Sequence, residues 1–164
     1  MSEVHVKGLR ELDAVLQEVP VKLERNVLRG GLRAGMNVVK PVAQSNIHSV
    51  SGLLAAGLKV GTRARGGAVT ANVKATGAHA HVAPWVEYGT KPHTITAKPG
   101  KALAIGGMYV HAVDHPGARP HPFMRPALDS QAQPAVIAAA EYMKARLATK
   151  HGLDTAHIRI EGDE

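Results

Sequence analysis

The chain contains no cysteine, which excludes disulfides and thiolate metal sites and leaves stability to packing and association. Aromatic side chains are almost as scarce, with one Trp, one Phe and three Tyr among 164 residues. No window approaches the roughly 18 consecutive apolar residues that span a bilayer. The opening residues, Met1 to Val6, lack the charged and apolar regions of a secretory signal. The expectation is a soluble protein made in the cytoplasm, with no membrane partner. Acidic residues are missing from the middle of the chain. Between residues 47 and 127 only Glu87 and Asp114 face nine Lys or Arg, an imbalance equal to the whole formal charge of +7. Such a segment suits nucleic acid phosphates, an acidic protein partner, or simply a solvated basic face.

The usual constellations of catalysis are also absent. No G-x-S-x-G elbow occurs, and Ser45, Ser49 and Ser51 read as helix-end and turn residues. The glycine-rich stretches have neither the Lys-Ser/Thr ending of a phosphate loop nor the spacing of a dinucleotide fingerprint. Nothing in the sequence brings Glu87 and Asp114 together as an acid/base pair. Ten His invite a metal hypothesis, in which His79 and His81 share one face of a strand with His111, His115 and His121 nearby. Zinc needs three or four ligands in tetrahedral geometry, and no acidic or thiolate ligand accompanies this pair. The expectation is therefore no catalytic residue, no metal and no cofactor. Glu87, in basic surroundings, is expected to pair with a basic residue of its own or a neighbouring subunit.

What is present is a helical beginning, a β-rich middle and a helical end. Leu9, Leu12, Val15, Leu16 and Val19 form one apolar stripe, and Pro20 ends that helix or starts the next. From Val21 a second stripe runs through Val27, Leu28, Leu32, Met36 and Val39, with Arg25, Arg29 and Arg33 on another face. Gly30, Gly31 and Gly35 each cost about 1 kcal/mol in a helix interior relative to Ala, so a second helix is expected to cross closely there. Leu53 to Val60, Ala68 to Ala75 and Ala80 to Tyr88 read as a three-stranded antiparallel meander, with Pro84 at an edge or bulge. Ala127 to Lys150 carries Val136, Ile137, Ala140, Met143 and Leu147 at helical spacing, and Gly152 is its natural stop. The fold class expected is α+β. An antiparallel sheet of three to five strands packs on a long N-terminal and a C-terminal helix, as a single domain over 1–152. Residues 153–164 form a short acidic tail in which Ile158 and Ile160 add a small strand.

Between Gly89 and Pro120 the chain holds nine Gly or Pro in 32 residues, too many for continuous regular structure and too long for an ordinary connection. This stretch, 89–120, is expected to be an arm, with His93–Thr96 and Met108–Val113 forming a β-hairpin around Gly106 and Gly107. Its two ends are Trp85-Val86-Glu87-Tyr88-Gly89-Thr90 and Arg119-Pro120-His121-Pro122-Phe123-Met124-Arg125-Pro126, which hold the single Trp and the single Phe. Aromatic anchors at both ends of one loop suit an assembly protein better than an enzyme.

Four local motifs stand in order: Val6-Lys7-Gly8-Leu9 with Leu12, Ser51-Gly52-Leu53, Glu87-Tyr88-Gly89-Thr90, and Pro120-His121-Pro122-Phe123-Met124-Arg125-Pro126-Ala127. In this the chain resembles the tail-completion or neck proteins of long-tailed bacteriophages, the family that includes the minor tail protein Z of lambda-like phages. There V-x-G-L-x-x-L precedes a long basic helix, T-G-x-L begins the sheet, E-Y/F-G-T ends a strand and P-x-P-F-x-R-P-A opens the last helix. Ser51 replaces the usual Thr, and the tail after Gly152 has no counterpart. The resemblance implies a structural virion protein at the head-proximal end of the tail, assembled as a ring of copies, hexameric by expectation. Its partners would be the tail tube or terminator protein and the head connector or stopper. It implies assembly roles for Trp85, Glu87, Tyr88, Gly89, Thr90, Pro120, Pro122, Phe123, Arg125 and Pro126. In particular, Trp85 and Phe123 would wedge against partners, Arg125 would bond a carboxylate or carbonyl at the arm's base, and the arm would order on assembly. Lys59, Arg63, Arg65 and Lys74 would face passing DNA. A tail-terminator ring, or a nonspecific DNA-binding protein, remains an alternative.

Overall fold

The structure is a computed structural model and describes residues 5–48 and 52–162, with Lys22 by its backbone alone. Val4, Ser49, Ser51 and the last two residues of the tail lie outside the described residues. The architecture is α+β, as the patterning requires. Helix α1 (Leu9–Gln17) leads through Pro20 into α2 (Val21–Ser45), and the last long helix is α5 (Met124–His151). At 1.5 Å per residue α2 and α5 are about 37 and 42 Å long, and they form the body.

They run antiparallel and close. Asn46, just past the end of α2, donates a hydrogen bond to the carbonyl of Phe123 at the start of α5. Farther along, the glycines make the approach possible. A Cβ on Gly31 would stand 2.5 Å from Met143 Cγ and 2.9 Å from the Ala139 carbonyl, one on Gly35 would stand 2.5 Å from the Ala135 carbonyl, and one on Gly30 would overlap the Tyr142 ring. The expected close crossing is therefore present, and Ala135, Ala139 and Ala140 on α5 supply the matching small face. An Ala-rich helix opposite a Gly-bearing one lets the backbones meet, so the thin core gains packing density in place of side-chain bulk.

Two apolar clusters sit along this helix pair. The first joins Leu12, Val15 and Leu16 of α1 to Val27, Met143 and Leu147, and Ile158 of the tail is fully buried in it. The tail thus closes the body: β8 (Glu161–Gly162) pairs antiparallel with β1 (Val6–Lys7), with Ile160 packed partly buried just before it. The second cluster joins Val39 and Ala43 to Leu54, Leu58, Phe123 and Ala127. It lies beneath the hairpin of β2 (Leu58–Arg65) and β3 (Ala68–Ala75), paired in full register from Leu58 opposite Ala75 to Arg65 opposite Ala68.

The strands form separate two-stranded antiparallel ladders. Leu53–Ala56 is one helical turn, α3, and strand β2 starts only at Leu58. The expected third strand is not a strand: Ala80–Val82 is a 3₁₀ turn and Ala83–Tyr88 is a short helix, α4. Its Val, Trp and Tyr favour strands, but Pro84 sits in the first turn of α4, where its missing N–H costs nothing. The helical period also points Ala83 and Val86 into the second cluster together. Beyond α4 the arm is a hairpin in two tiers, so the expected pairing of His93–Thr96 with Met108–Val113 holds only at Ala112 and Val113. Strand β4 (His93–Thr96) pairs with β7 (Ala112–His115), and β5 (Leu103–Ile105) pairs with β6 (Met108–Val110). Gly106 and Gly107, with φ of 56° and 82°, make the turn at the tip, the two successive left-handed positions of a type I′ hairpin.

Candidate functional site

The two blocks at the ends of the arm converge on one carboxylate. Glu87 comes from the last turn of α4, and its Oε2 accepts the backbone N–H groups of Phe123 at 2.8 Å and Met124 at 2.9 Å, while Oε1 accepts that of Arg125 at 3.2 Å. Phe123 is the N-cap of α5. A helix leaves its first four N–H groups without intrahelical partners. Glu87 takes three of them, and the fourth position is Pro126, which has no N–H to satisfy. A single side chain from a distant helix, with one proline, thereby completes the first turn of α5.

Electrostatics match this geometry. The carboxylate lies at the positive end of a helix of 28 residues, and Glu87 is only 8% exposed. Burial by itself is the largest influence and raises its pKa, but the three N–H bonds and the Arg125 charge together outweigh it, so the group titrates below its ordinary value of 4.5. A carboxylate so occupied is a poor proton acceptor at neutral pH. Its work is to hold α4 and α5 together.

This corrects the expected partner of Glu87: backbone amides hold it, and Arg125 contributes through its own N–H and its charge. The Arg125 side chain does not reach back to a carboxylate or carbonyl at the arm's base. Its guanidinium lies over the Tyr88 ring, 5.9 Å from the centroid, a cation–π contact. The aromatic anchors also divide. Phe123 is 1% exposed and belongs to the second core cluster, so it is unable to wedge against a partner, whereas Trp85 is 52% exposed. Trp85 touches the edge of His81, with ring centroids 5.4 Å apart.

Immediately past Tyr88 the two chains of the arm's root are clamped. Thr90 and Ala118 exchange both backbone hydrogen bonds, at 2.9 and 3.1 Å, and Thr90 Oγ1 accepts the Ala118 N–H as well. The His121 N–H reaches the Val86 carbonyl at 2.8 Å. Gly89 makes this approach possible. With φ 71° and ψ −176° it occupies a region essentially open only to glycine, and a Cβ there would stand 2.5 Å from the Ala118 carbonyl and 2.9 Å from Pro120 N. Pro120 and Pro122 bracket His121 as the returning chain leaves the clamp, and the expected cluster of Glu87, Tyr88, Gly89, Thr90, Pro120, Phe123, Arg125 and Pro126 is brought together. Beyond the clamp every residue of β4 is exposed, as are most of β5, β6 and β7. Met108 and Tyr109 stand in solvent at the tip.

Clefts open on both sides of α4. One, of about 550 Å³, lies toward the β2–β3 hairpin and is lined by Ala75, Pro84, Tyr88, Arg125 and Leu128. The other, of about 680 Å³, lies under the arm's root between Trp85, Val86 and Ile95 on its apolar side and Lys91, Arg119 and His121 on its rim. Of the residues lining this second cleft, Trp85 and Thr90 are the ones the sequence singles out for assembly, and the cleft itself is not foreseen from it.

The four basic residues expected to face DNA do share a surface. In the β2–β3 register Lys59 stands opposite Lys74, while Arg63 and Arg65 follow on the same face four and six pairs along, all exposed. The histidines do not assemble in the way the metal hypothesis required. His79 and His81 lie on and before the 3₁₀ turn, and among the described residues no group of three or more His, Asp or Glu is placed to hold a metal ion. Asp114 is on the arm, where it accepts the Thr94 hydroxyl at 2.7 Å. No helix among the described residues is long and apolar enough to cross a membrane. Compared with protein-family models, with curated proteins and with solved structures, the chain matches none.

Proposed function

We propose that this chain is a structural virion protein of a long-tailed bacteriophage, forming a ring at the head-proximal end of the tail, completing the tail and joining it to the head connector. The observation that carries the reading is the arm. A two-stranded hairpin is marginal by itself in water, and this one buries almost nothing on its own body, so it adds little to the stability of the monomer. Yet it is held at its root by a buried carboxylate, a glycine-only conformation and a double hydrogen bond. A rigid root with an exposed ribbon is what strand addition to a neighbouring subunit requires. Two of the four motifs on which the phage resemblance rests, Glu87 to Thr90 and Pro120 to Ala127, are the ones that build this root.

The test is the mass of the protein in solution, alone and with tail tubes of its phage, followed by imaging of the tube ends. The expected result is a ring seated at one end that also binds the connector. Binding to the tube alone would make it a tail terminator. A monomer that ignores tubes would refute both.

A second feature favours contact with DNA. Lys59 and Lys74 are cross-strand partners, an arrangement that is unfavourable without an anion between them. Together with Arg63 and Arg65 they form a basic face suited to nonspecific phosphate contact in a ring lumen. If all four engage phosphates, log affinity for duplex DNA should fall with log salt at a slope of about −3 to −4. Strong binding of that kind by a monomer would instead support a DNA-binding protein.

A further inference from the structure

The body carries complementary surfaces at its opposite ends. At the end where α2 finishes and α5 begins lies the cleft under the arm's root. Its apolar side is Val82, Trp85, Val86 and Ile95, its rim carries Lys91, Arg119 and several histidines, and no carboxylate is among its described lining residues. At the other end, where α1 meets α2, the chain from residue 11 to residue 21 carries Glu11, Asp13 and Glu18 and no Lys, Arg or His, with Arg10 and Lys22 at its two borders. Glu11 and Ala14 lie on the outward side of α1 beside Arg10, and Glu18 follows as its C-cap, since Leu12, Val15 and Leu16 take the buried side. Glu11, Ala14 and Glu18 are exposed, and so is Val21, an apolar side chain 66% exposed at the first position of α2. About 37 Å of α2 separates the two surfaces, so no single copy is able to join them.

We infer that the acidic α1–α2 corner of a second copy docks in the arm-root cleft of the first, with Val21 against Trp85 and with Glu11 and Glu18 facing Lys91 and Arg119. The occupant is chosen by charge. The cleft is apolar with a basic rim, and the corner carries three carboxylates and an exposed aliphatic residue, Val21. The contact is head to tail, so it uses a different patch on each copy and closes into a ring when the rotation per copy allows. It rests on the ring reading above and adds which faces meet.

Trp85 is the single Trp of the chain and reports the contact directly. The experiment follows Trp85 emission and its quenching by acrylamide as concentration is raised, without and with tail tubes. Mass is recorded in parallel for the wild type, a rim variant (Lys91→Glu with Arg119→Glu), a corner variant (Glu11→Lys with Glu18→Lys) and a chain bearing all four changes. All four side chains are exposed, and unchanged far-UV circular dichroism and melting establish that each variant folds. Expected are a blue shift and loss of quenching on association, association at least tenfold weaker in either paired variant, and recovery in the fourfold chain. Association in which Trp85 stays quenchable and the charge reversals are silent would overturn the inference and leave the ring reading standing. A protein monomeric at every concentration and on tubes would end the ring reading and this inference with it. A rim variant that loses duplex DNA binding while still self-associating would overturn the inference and assign the cleft to nucleic acid.

Discussion

Replacing Glu87 tests the junction most directly, because three backbone donors depend on one side chain. In Glu87→Gln the amide keeps a single oxygen. Placed where Oε2 stands, it accepts from Phe123 and Met124, but its NH₂ then meets the Arg125 N–H, donor against donor. The bonds to a charged acceptor, about 1.5–3 kcal/mol each, become neutral ones of about 0.5–1.5, and the favourable charge at the start of α5, worth up to ~2 kcal/mol in a partly buried site, is lost. A net cost of about 2–3 kcal/mol is expected once compensation by relaxation is allowed for. Glu87→Ala also leaves the buried Phe123 N–H without a partner and should cost about 3–5 kcal/mol. For a chain of this size each kcal/mol lowers the melting temperature by about 2–4 °C. Urea unfolding at pH 7, followed by far-UV circular dichroism, reads both variants. The pH dependence has a definite sign. The folded pKa of Glu87 lies below its ordinary 4.5, so its contribution is fully present above that value and is lost as pH falls through the lower, folded one. The gap between wild type and Glu87→Gln should therefore be constant from pH 7 to about 5 and shrink below it. A Gln variant within about 0.5 kcal/mol of wild type at pH 7, the range of ordinary surface changes, would refute the assignment of Glu87 as the cap of α5.

Gly89→Ala should destabilise by about 3 kcal/mol, combining backbone strain of about 1–3 kcal/mol with a displaced Ala118 carbonyl, and faster hydrogen exchange at Thr90 and Ala118 would locate the damage at the arm's root. Gly35→Ala gains about 1 kcal/mol of helix propensity but drives a methyl against the Ala135 carbonyl, so a net loss of about 1–2 kcal/mol in thermal unfolding is expected; a stabilised variant would mean that α2 and α5 separate easily. Phe123→Ala should cost about 3–5 kcal/mol as a core truncation, whereas Trp85→Ala in the monomer should stay within about 0.5 kcal/mol. Equal costs in denaturant would contradict the division between a buried and a free aromatic.

The helical frame was legible in the sequence because its signals agree with one another. The stripe through Val27 and Val39, the glycines at 30, 31 and 35 and the alanines of α5 all describe one close helix pair, and the structure places them so. Gly106 and Gly107 announced the arm's turn with equal clarity, since consecutive glycines supply what a type I′ hairpin needs. The segment 80–88 reads as a strand and folds as a helix because alternation over nine residues competes poorly with tertiary packing. Val82 and Val86 fit a helix at i and i+4 as well as a strand at i and i+4, and the fold decides between them through Pro84 and the cap. The tail is half legible: the small strand expected from Ile158 and Ile160 lies instead at Glu161–Gly162, because Ile158 is taken into the first core cluster, and β1, which receives the strand, is too short to predict. In the site, the convergence of the two blocks was readable and the bond that joins them was not. Charge alone suggests a cation for Glu87. Only the three-dimensional path shows that a helix N-terminus, with a proline at its fourth position, offers a better set of donors than a mobile Arg.

That bond also links two parts of the molecule that the chain order keeps separate. Cutting the arm away at its root would leave Glu87 and Phe123 on opposite sides of the gap, 36 residues apart in sequence, so the cap is the tie that closes the loop. α5 lines both core clusters, so the Thr90–Ala118 clamp and the Glu87 cap connect the arm's root directly to the helix pair. The Arg125 guanidinium over Tyr88 stiffens the same turn from outside. An arm whose only task was to exist as a free ribbon would gain nothing from such a root. Holding its direction fixed matters when the ribbon must meet a surface at a set angle, because each degree of freedom frozen in advance is one that association does not have to freeze.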